Sequence, residues 1–219
     1  MLAPRAVELA LVHCSEGLLV IDKPSGLLAV PGRGPDLQDC VAARVRARFV
    51  DACVVHRLDM ATSGLMAMGR GIAAQRALSI AFARREVDKR YVAVVAGLLP
   101  AAAGDGWGEI DLPLAADWPE RPRQKVDLRS GKPSVTRYRV LAHDPQHDCT
   151  RVELHPLTGR SHQLRVHLRA LGHPIVGDML YAPPAVQAQA ARLLLHATSL
   201  ALVHPGSGER VVFASEAPF

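Results

Sequence analysis

Apolar and polar positions recur along this chain with two periods, and the switches between them mark out strands and helices. "GLLVIDKPSGLLAVPG" (17–32) holds two short apolar runs separated by Lys23-Pro24-Ser25-Gly26, which predicts two strands turned back on each other. In "LQDCVAARVRARF" (37–49), Leu37, Val41, Val45 and Phe49 fall on one helical face, and Arg44, Arg46 and Arg48 point elsewhere. "VVHRLDMATSGLMAMGR" (54–70) predicts strand, turn, strand, although its middle is polar. The Ala-rich "GIAAQRALSIAFARREV" predicts a second helix, and the valine-rich "KRYVAVVAG" a strand closed by Gly97. Residues 98–124 are rich in Pro and Gly and predict a long excursion with short strands. "SVTRYRVLAH" and "TRVELHPL" alternate as half-buried strands do. "TGRSHQLRVHLRALGHP" predicts a helix from Ser161 as N-cap to Gly172 just past its end. Leu164, Leu168 and Leu171 would line its buried face, with Arg165 and Arg169 stacked one turn apart beside it. "PPAVQAQAARLLLHA" predicts a further helix before a terminal strand pair. There is no internal repeat and no regular βαβ period, so the fold class expected is α+β, a mostly antiparallel (mixed) sheet core with flanking helices.

Composition narrows the function classes only slightly. A length of 219 residues suits one sizeable domain or two joined halves. Aromatic residues make up only 4%, which argues against a surface paved with stacking rings. The net charge of +5 is compatible with a polyanionic partner and is weak evidence by itself. Cys14, Cys40, Cys53 and Cys149 form no C-x-x-C pair, which points away from structural zinc or a disulfide framework and toward a reducing cytoplasm. Glu8 interrupts the first apolar run and spoils a secretory signal; no stretch approaches the ~18 apolar residues of a membrane span.

Against that background the polar residues of 54–70 stand out. Asp59 lies among apolar neighbours, where an unpaired buried charge costs several kcal/mol. Two readings are open: a structural carboxylate satisfied by Arg57 or a backbone N–H, or a nucleophile or base at a strand end where Thr62-Ser63-Gly64 opens a cleft. His155, His162, His167 and His173 tempt one toward a metal, but His162 and His167 are five residues apart and no H-E-x-x-H motif is present, so no metal is expected. Arg165 reads either as a stem covering apolar surface with its head in water, or as a cation at the rim of a buried region. Tyr91 enters a strand and serves either packing or the face of a planar ligand. Arginine clusters in "ARVRARF", "FARREVDKR" and "RPRQK" fit solvated faces or a groove that tracks a nucleic-acid backbone.

Taken together, these segments resemble the RluA-type pseudouridine synthases. "HRLDMATSGL" (56–65) matches that family's signature, and "DKPSGLLAVPG", "KRYVAVVAG", "TGRSHQLRVHL", "LGHPIVGD" and "RLLLHA" follow in the family's order. "DWPERPRQK" (117–125) looks like the branch that modifies both large-subunit ribosomal RNA and tRNA. The resemblance implies a pseudouridine synthase fold with a central catalytic cleft, with residues 1–16 a short lead-in and 17–219 the catalytic domain, without an S4-type domain. It also implies that Asp59 is the catalytic carboxylate, Tyr91 the active-site tyrosine, and Arg165 the guanidinium that pairs with the aspartate. Such a carboxylate must be ionised yet poorly solvated, and an opposing cation keeps it so. Leu164 and Leu195 would wall the base pocket, and His56 and Arg57 are placed where a side chain fills the stack vacated by a flipped uridine. Isomerising uridine oxidises nothing and loses no group, so no cofactor is expected. The partner expected is structured RNA, an rRNA or tRNA stem-loop, bound by a cytoplasmic monomer with no membrane contact. The competing readings are a catalytically silent RNA-binding module on the same scaffold, and a carboxylate-dependent hydrolase, for which Asp59 lacks a second acid.

Overall fold

The structure is a computed structural model and describes residues 9–219. Residues 1–8 of the expected lead-in lie outside the described residues, while Ala10–Cys14 forms strand β1. The chain divides into two compact units, one running to Val87 and joined by Ala201–Ser215, the other Asp88–Leu200 joined by Glu216–Phe219.

The first unit is built on β2 (Leu18–Lys23), which pairs antiparallel with β1 on one edge and with β4 (Ser63–Arg70) on the other. Leu18 to Ile21 are all buried, so this central strand carries a continuous apolar run rather than an alternation. The expected hairpin between the two halves of 17–32 does not form. A strand has two hydrogen-bonding edges, and β1 and β4 occupy both edges of β2; the following segment makes only an isolated bridge, Leu28 to Cys40. β3 (Ala52–Val54) pairs with the far end of β4, and helix α2 (Gly71–Arg84) follows where the Ala-rich segment predicts it. A side chain at Gly69 would come 2.9 Å from the Gln75 amide, so the glycine lets α2 lie close on β4. The helix expected over 37–49 is shorter, α1 (Val41–Arg46), capped by the Cys40 Sγ accepting the Ala43 amide at 3.3 Å. Leu37 sits in a separate 3₁₀ turn and is 46% exposed.

In the second unit β5 (Asp88–Ala96), β10 (Cys149–Pro156), β9 (Val135–Asp144) and β6 (Trp107–Asp111) pair antiparallel in that order. β7 (Leu114–Ala116) and β8 (Gln124–Val126) form a separate hairpin, the short strands expected in the Pro- and Gly-rich excursion. α3 (Gln163–Ala170) begins one residue later than Ser161 as N-cap implies, because His162 takes the cap with a left-handed φ of 54°. Gly172 closes it with φ +87°, as expected of the residue past a helix end. Of the helix expected over 183–197 only one turn forms, α4 (Pro184–Gln187). The apolar run beyond it is extended: Leu194 accepts from the Val94 amide and donates to Val176 O, and Leu195–Val203 becomes β11, beside β5 and, at its other end, β12 (Arg210–Ala214). Cross-strand pairing here overrides helix propensity. Antiparallel ladders flanked by few helices make the fold α+β, as expected.

Candidate active site

Asp59 is half-buried in the irregular stretch between β3 and β4, and the Thr62 amide donates to its carbonyl at 3.1 Å to close a turn. That turn is held from beneath by the segment following β2. The Lys23 ammonium is fully buried and donates to Pro24 O, Leu27 O and Met60 O at 2.8, 2.7 and 3.0 Å. The Ser25 hydroxyl donates to Ala61 O at 2.7 Å and the Gly26 amide to Met60 O at 2.9 Å. Two consecutive peptides after Asp59 are therefore gripped through their carbonyls, and the carbonyls of Pro24, Leu27 and Met60 compensate the desolvated ammonium. His56 fixes the other end: its Nε2 accepts the Ala67 amide at 2.9 Å, and its ring stacks on Phe82 of α2 at 4.3 Å. An accepting Nε2 puts the neutral ring's proton on Nδ1. Arg57, next to it, is exposed and makes no ion pair among the described residues.

In the second unit Tyr91 is half-buried on β5, opposite Leu154 of β10. Lys89 shares its face of the strand, two residues earlier, and burial pushes its ammonium pKa down against the opposing pull of Asp88. α3 is buried almost all round from Gln163 to Leu168, so Arg165, 4% exposed, lies inside rather than at a rim. Its guanidinium forms a two-pronged pair with Asp178, Nε to Oδ2 at 2.8 Å and Nη2 to Oδ1 at 2.7 Å. Asp178 is itself buried, and its Oδ1 also accepts the Leu180 and Tyr181 amides at 2.9 and 3.2 Å. The guanidinium lies over the Tyr181 ring, 5.0 Å from its centroid, and the Tyr181 hydroxyl meets His162 Nδ1 at 2.6 Å and the Gln124 amide at 2.7 Å. Leu164 and Leu195 are buried at the starts of α3 and β11.

Each of the four histidines has a separate task. His167 is wholly buried between Thr136 Oγ1 and Leu112 O, and burial pushes its pKa down. His155 is pushed down by burial and by Arg90, His162 bonds Tyr181, and His173 Nδ1 meets Ala96 O at 2.8 Å. Sequence reasoning placed Lys23 in a turn and assigned no site role to it, Asp178 or Lys89. The signals were present, since Lys23 follows the apolar run Leu18–Ile21 after Asp22 and Asp178 sits in an otherwise apolar "PIVGDMLY".

The described residues contain no helix long and apolar enough to cross a membrane. The model of the RNA pseudouridylate synthase family matches residues 17–170. The dual-specificity RNA pseudouridine synthase RluA of Yersinia pestis is 50% identical over 202 residues, 92% of this chain and 96% of the relative. The protein of that name in Escherichia coli K12 is 46% identical over 216 residues, 99% of this chain and 96% of the relative. Among solved structures, human RNA pseudouridylate synthase domain containing 1 superposes with a TM-score of 0.81 at 30% identity, covering 100% of this chain and 87% of that one. Half the residues of a near-full-length relative, a family model over the segment from β2 to α3 and a shared fold agree: the chain belongs to the RNA pseudouridylate synthase family.

Proposed function

We propose that this chain converts uridines in stem-loops of large-subunit ribosomal RNA, tRNA or both into pseudouridine, with Asp59 as the catalytic carboxylate. The single observation that carries this reading is the near-complete coverage by relatives named dual-specificity RNA pseudouridine synthases, at 46–50% identity. The reaction breaks the N1–C1′ bond, turns the uracil and joins C5 to C1′, so atoms and oxidation state are conserved and no cofactor is called for. The protein's work is to hold a charged group, a detached base and a proton in place.

In this reading Asp59 acts on the nucleoside, and its position is supported by the grip of Lys23, Ser25 and Gly26 on the two peptides that follow it. Arg165 is the cation that keeps Asp59 ionised. Its suitability rests on burial and on the Asp178 pair, which fixes the guanidinium plane through Nε and Nη2. Tyr91 lies under the uracil and relays the proton released from C5, and the half-buried Lys89 on the same strand face is suited to tune that phenol. Leu164 and Leu195 supply apolar walls. Arg57, exposed and without an ion pair among the described residues, is the side chain suited to fill the stack left by the flipped uridine. His56 contributes to RNA binding from a ring already fixed on Ala67 and Phe82. Residues 17–219 form the catalytic domain, acting as a cytoplasmic monomer after the lead-in 1–16.

Asp59→Asn is the test. It should abolish pseudouridine formation in a tRNA anticodon stem-loop transcript while RNA binding persists. Turnover retained by that variant refutes the assignment, and a parent protein that binds RNA but modifies none would favour the silent module instead.

A further inference from the structure

The β7–β8 hairpin carries a feature that the isomerisation itself does not use. Trp118, one of two tryptophans in a chain with few aromatics, is 69% exposed near its tip. An exposed tryptophan costs solubility and gains nothing for the core, so it calls for a partner. The Arg121 guanidinium lies 3.2 Å from its ring centroid, which pre-orders a flat, cationic platform. At the base of the same loop the Asp117 amide donates to Arg123 O at 3.0 Å, closing the hairpin and setting Arg123 beside a second feature. This is a pocket of about 380 Å³ bounded by Arg123, Arg169, Pro174, Leu180 and Tyr181. Its lining holds two arginines and no carboxylate. Arg169 is exposed and makes no ion pair among the described residues. Among the described residues Arg123 pairs only with the exposed Glu120 at 3.4 Å, a contact a phosphate can readily replace. One wall of the pocket is Tyr181, whose ring carries the Arg165 guanidinium.

An exposed ring under a guanidinium beside an arginine-lined hollow is the combination that reads unpaired nucleotides: the ring stacks a base and the cations take flanking phosphates. We propose that the β7–β8 hairpin and the Arg123–Arg169 pocket form an accessory RNA subsite, Trp118 stacking an unpaired base of the substrate loop and Arg123 and Arg169 holding adjacent phosphates. The proposal rests on the RNA-modifying reading above and adds to it a place where the substrate outside the target uridine is held. A protein partner is the competing use of such a surface. Two arginines with no carboxylate in the lining to neutralise them, together with the net charge of +5, favour the polyanion.

The test uses the full chain with a tRNA anticodon stem-loop transcript, titrated between 50 and 200 mM KCl, and three variants: W118A, R169Q and R123Q/R169Q. W118A should weaken binding roughly 5- to 100-fold without changing the salt dependence, since a stacking ring releases no counterions. R123Q/R169Q should lower the slope of log affinity against log salt by roughly 1.4, about 0.7 for each phosphate lost from a single strand, with R169Q halfway. The rate constant at saturating RNA should stay at the parent value in all three. Affinities within twofold of the parent and unchanged slopes overturn the proposal, as does loss of a co-purifying protein with RNA affinity intact. Asp59→Asn in parallel separates the two readings: a variant pattern in binding with no Asp59-dependent activity sinks the enzymatic reading alone, and the converse sinks the subsite alone.

Discussion

Asp178→Asn changes one oxygen to an NH2 group and keeps the shape, yet the structure makes it a severe substitution. The carboxylate accepts four N–H groups: Arg165 Nε on Oδ2, and Arg165 Nη2 with the amides of Leu180 and Tyr181 on Oδ1. An asparagine has one oxygen. Whichever way it turns, its NH2 group faces an N–H donor, either Arg165 Nε alone or Arg165 Nη2 together with the amide pair. Both partners are almost solvent-free, 4% and 0% exposed at the side chain, so water does not repair the loss. Removing one member of such a buried pair costs about 3–5 kcal/mol. For a chain of this size about 1 kcal/mol moves Tm by roughly 2–4 °C, so the midpoint should fall by roughly 6–20 °C. Thermal unfolding followed by circular dichroism reads this directly, and pseudouridine formation below the new midpoint should fall as well, because the guanidinium loses its fixed plane. The control is Asp39→Asn, which removes an equally well-formed two-pronged pair with Arg44 on an exposed carboxylate and should leave Tm unchanged. If Asp178→Asn shifts Tm by less than about 2 °C, the carboxylate is not what holds Arg165, and the reasoning from burial is wrong.

Lys23→Met should leave the Pro24 and Leu27 carbonyls without the ammonium donor, at about 1–3 kcal/mol each, leave Met60 O with the Gly26 amide, and slow single-turnover isomerisation while RNA affinity is kept; an unchanged urea midpoint refutes the anchor. Gly177→Ala should yield insoluble protein or lose more than about 4 kcal/mol, since φ is +74° and the new methyl would lie 1.9 Å from Arg192 O; soluble protein with the parent Tm overturns this. His167 and His155 both have pKa values held below the ordinary histidine value by burial, so the unfolded chain binds more protons than the folded one in the window beneath about 6.5. The stability they contribute is therefore complete above that pH and lost as pH falls through the folded values, and His167→Asn should flatten the dependence of the urea midpoint between pH 7 and 5.

Elements whose fate depends on local pattern were legible in the sequence. α2, β5, β9 and β10 lie where their periodicities put them, and Gly172 ends α3 as its position implies. The misses have one cause, the demand of distant backbone for partners. Residues 27–31 read as a strand, but β2 had no edge left for them, and "RLLLHA" read as helix until β5 offered it a ladder. Arg165 could be found and its setting could not, because the burial of every residue from Gln163 to Leu168 is a property of the surrounding sheet and hairpin rather than of the apolar stripe Leu164–Leu168. Asp178 went unread for a related reason: a lone carboxylate in an apolar stretch announces a partner without naming it.

The two buried charges outside the expected set, Lys23 and Asp178, solve the same physical problem in opposite signs. An isomerisation that neither gains nor loses atoms depends on keeping a few groups where they are while a base is detached, so positional precision is worth more than any added reactivity. Side chains anchored only to other side chains drift together, whereas Lys23 binds three carbonyls and Asp178 binds two amides, tying the Asp59 turn and the Arg165 head directly to backbone. The cost of desolvating each charge is offset by those fixed dipoles. Backbone anchoring also explains why each charge reaches backbone outside the regular ladders, at Pro24, Leu27 and Met60 and at Leu180–Tyr181: carbonyls and amides released from strand or helix are the ones a buried ion can use. Irregular backbone is in this sense a source of rigidity, because dipoles freed from strand or helix are the ones that hold these two charges.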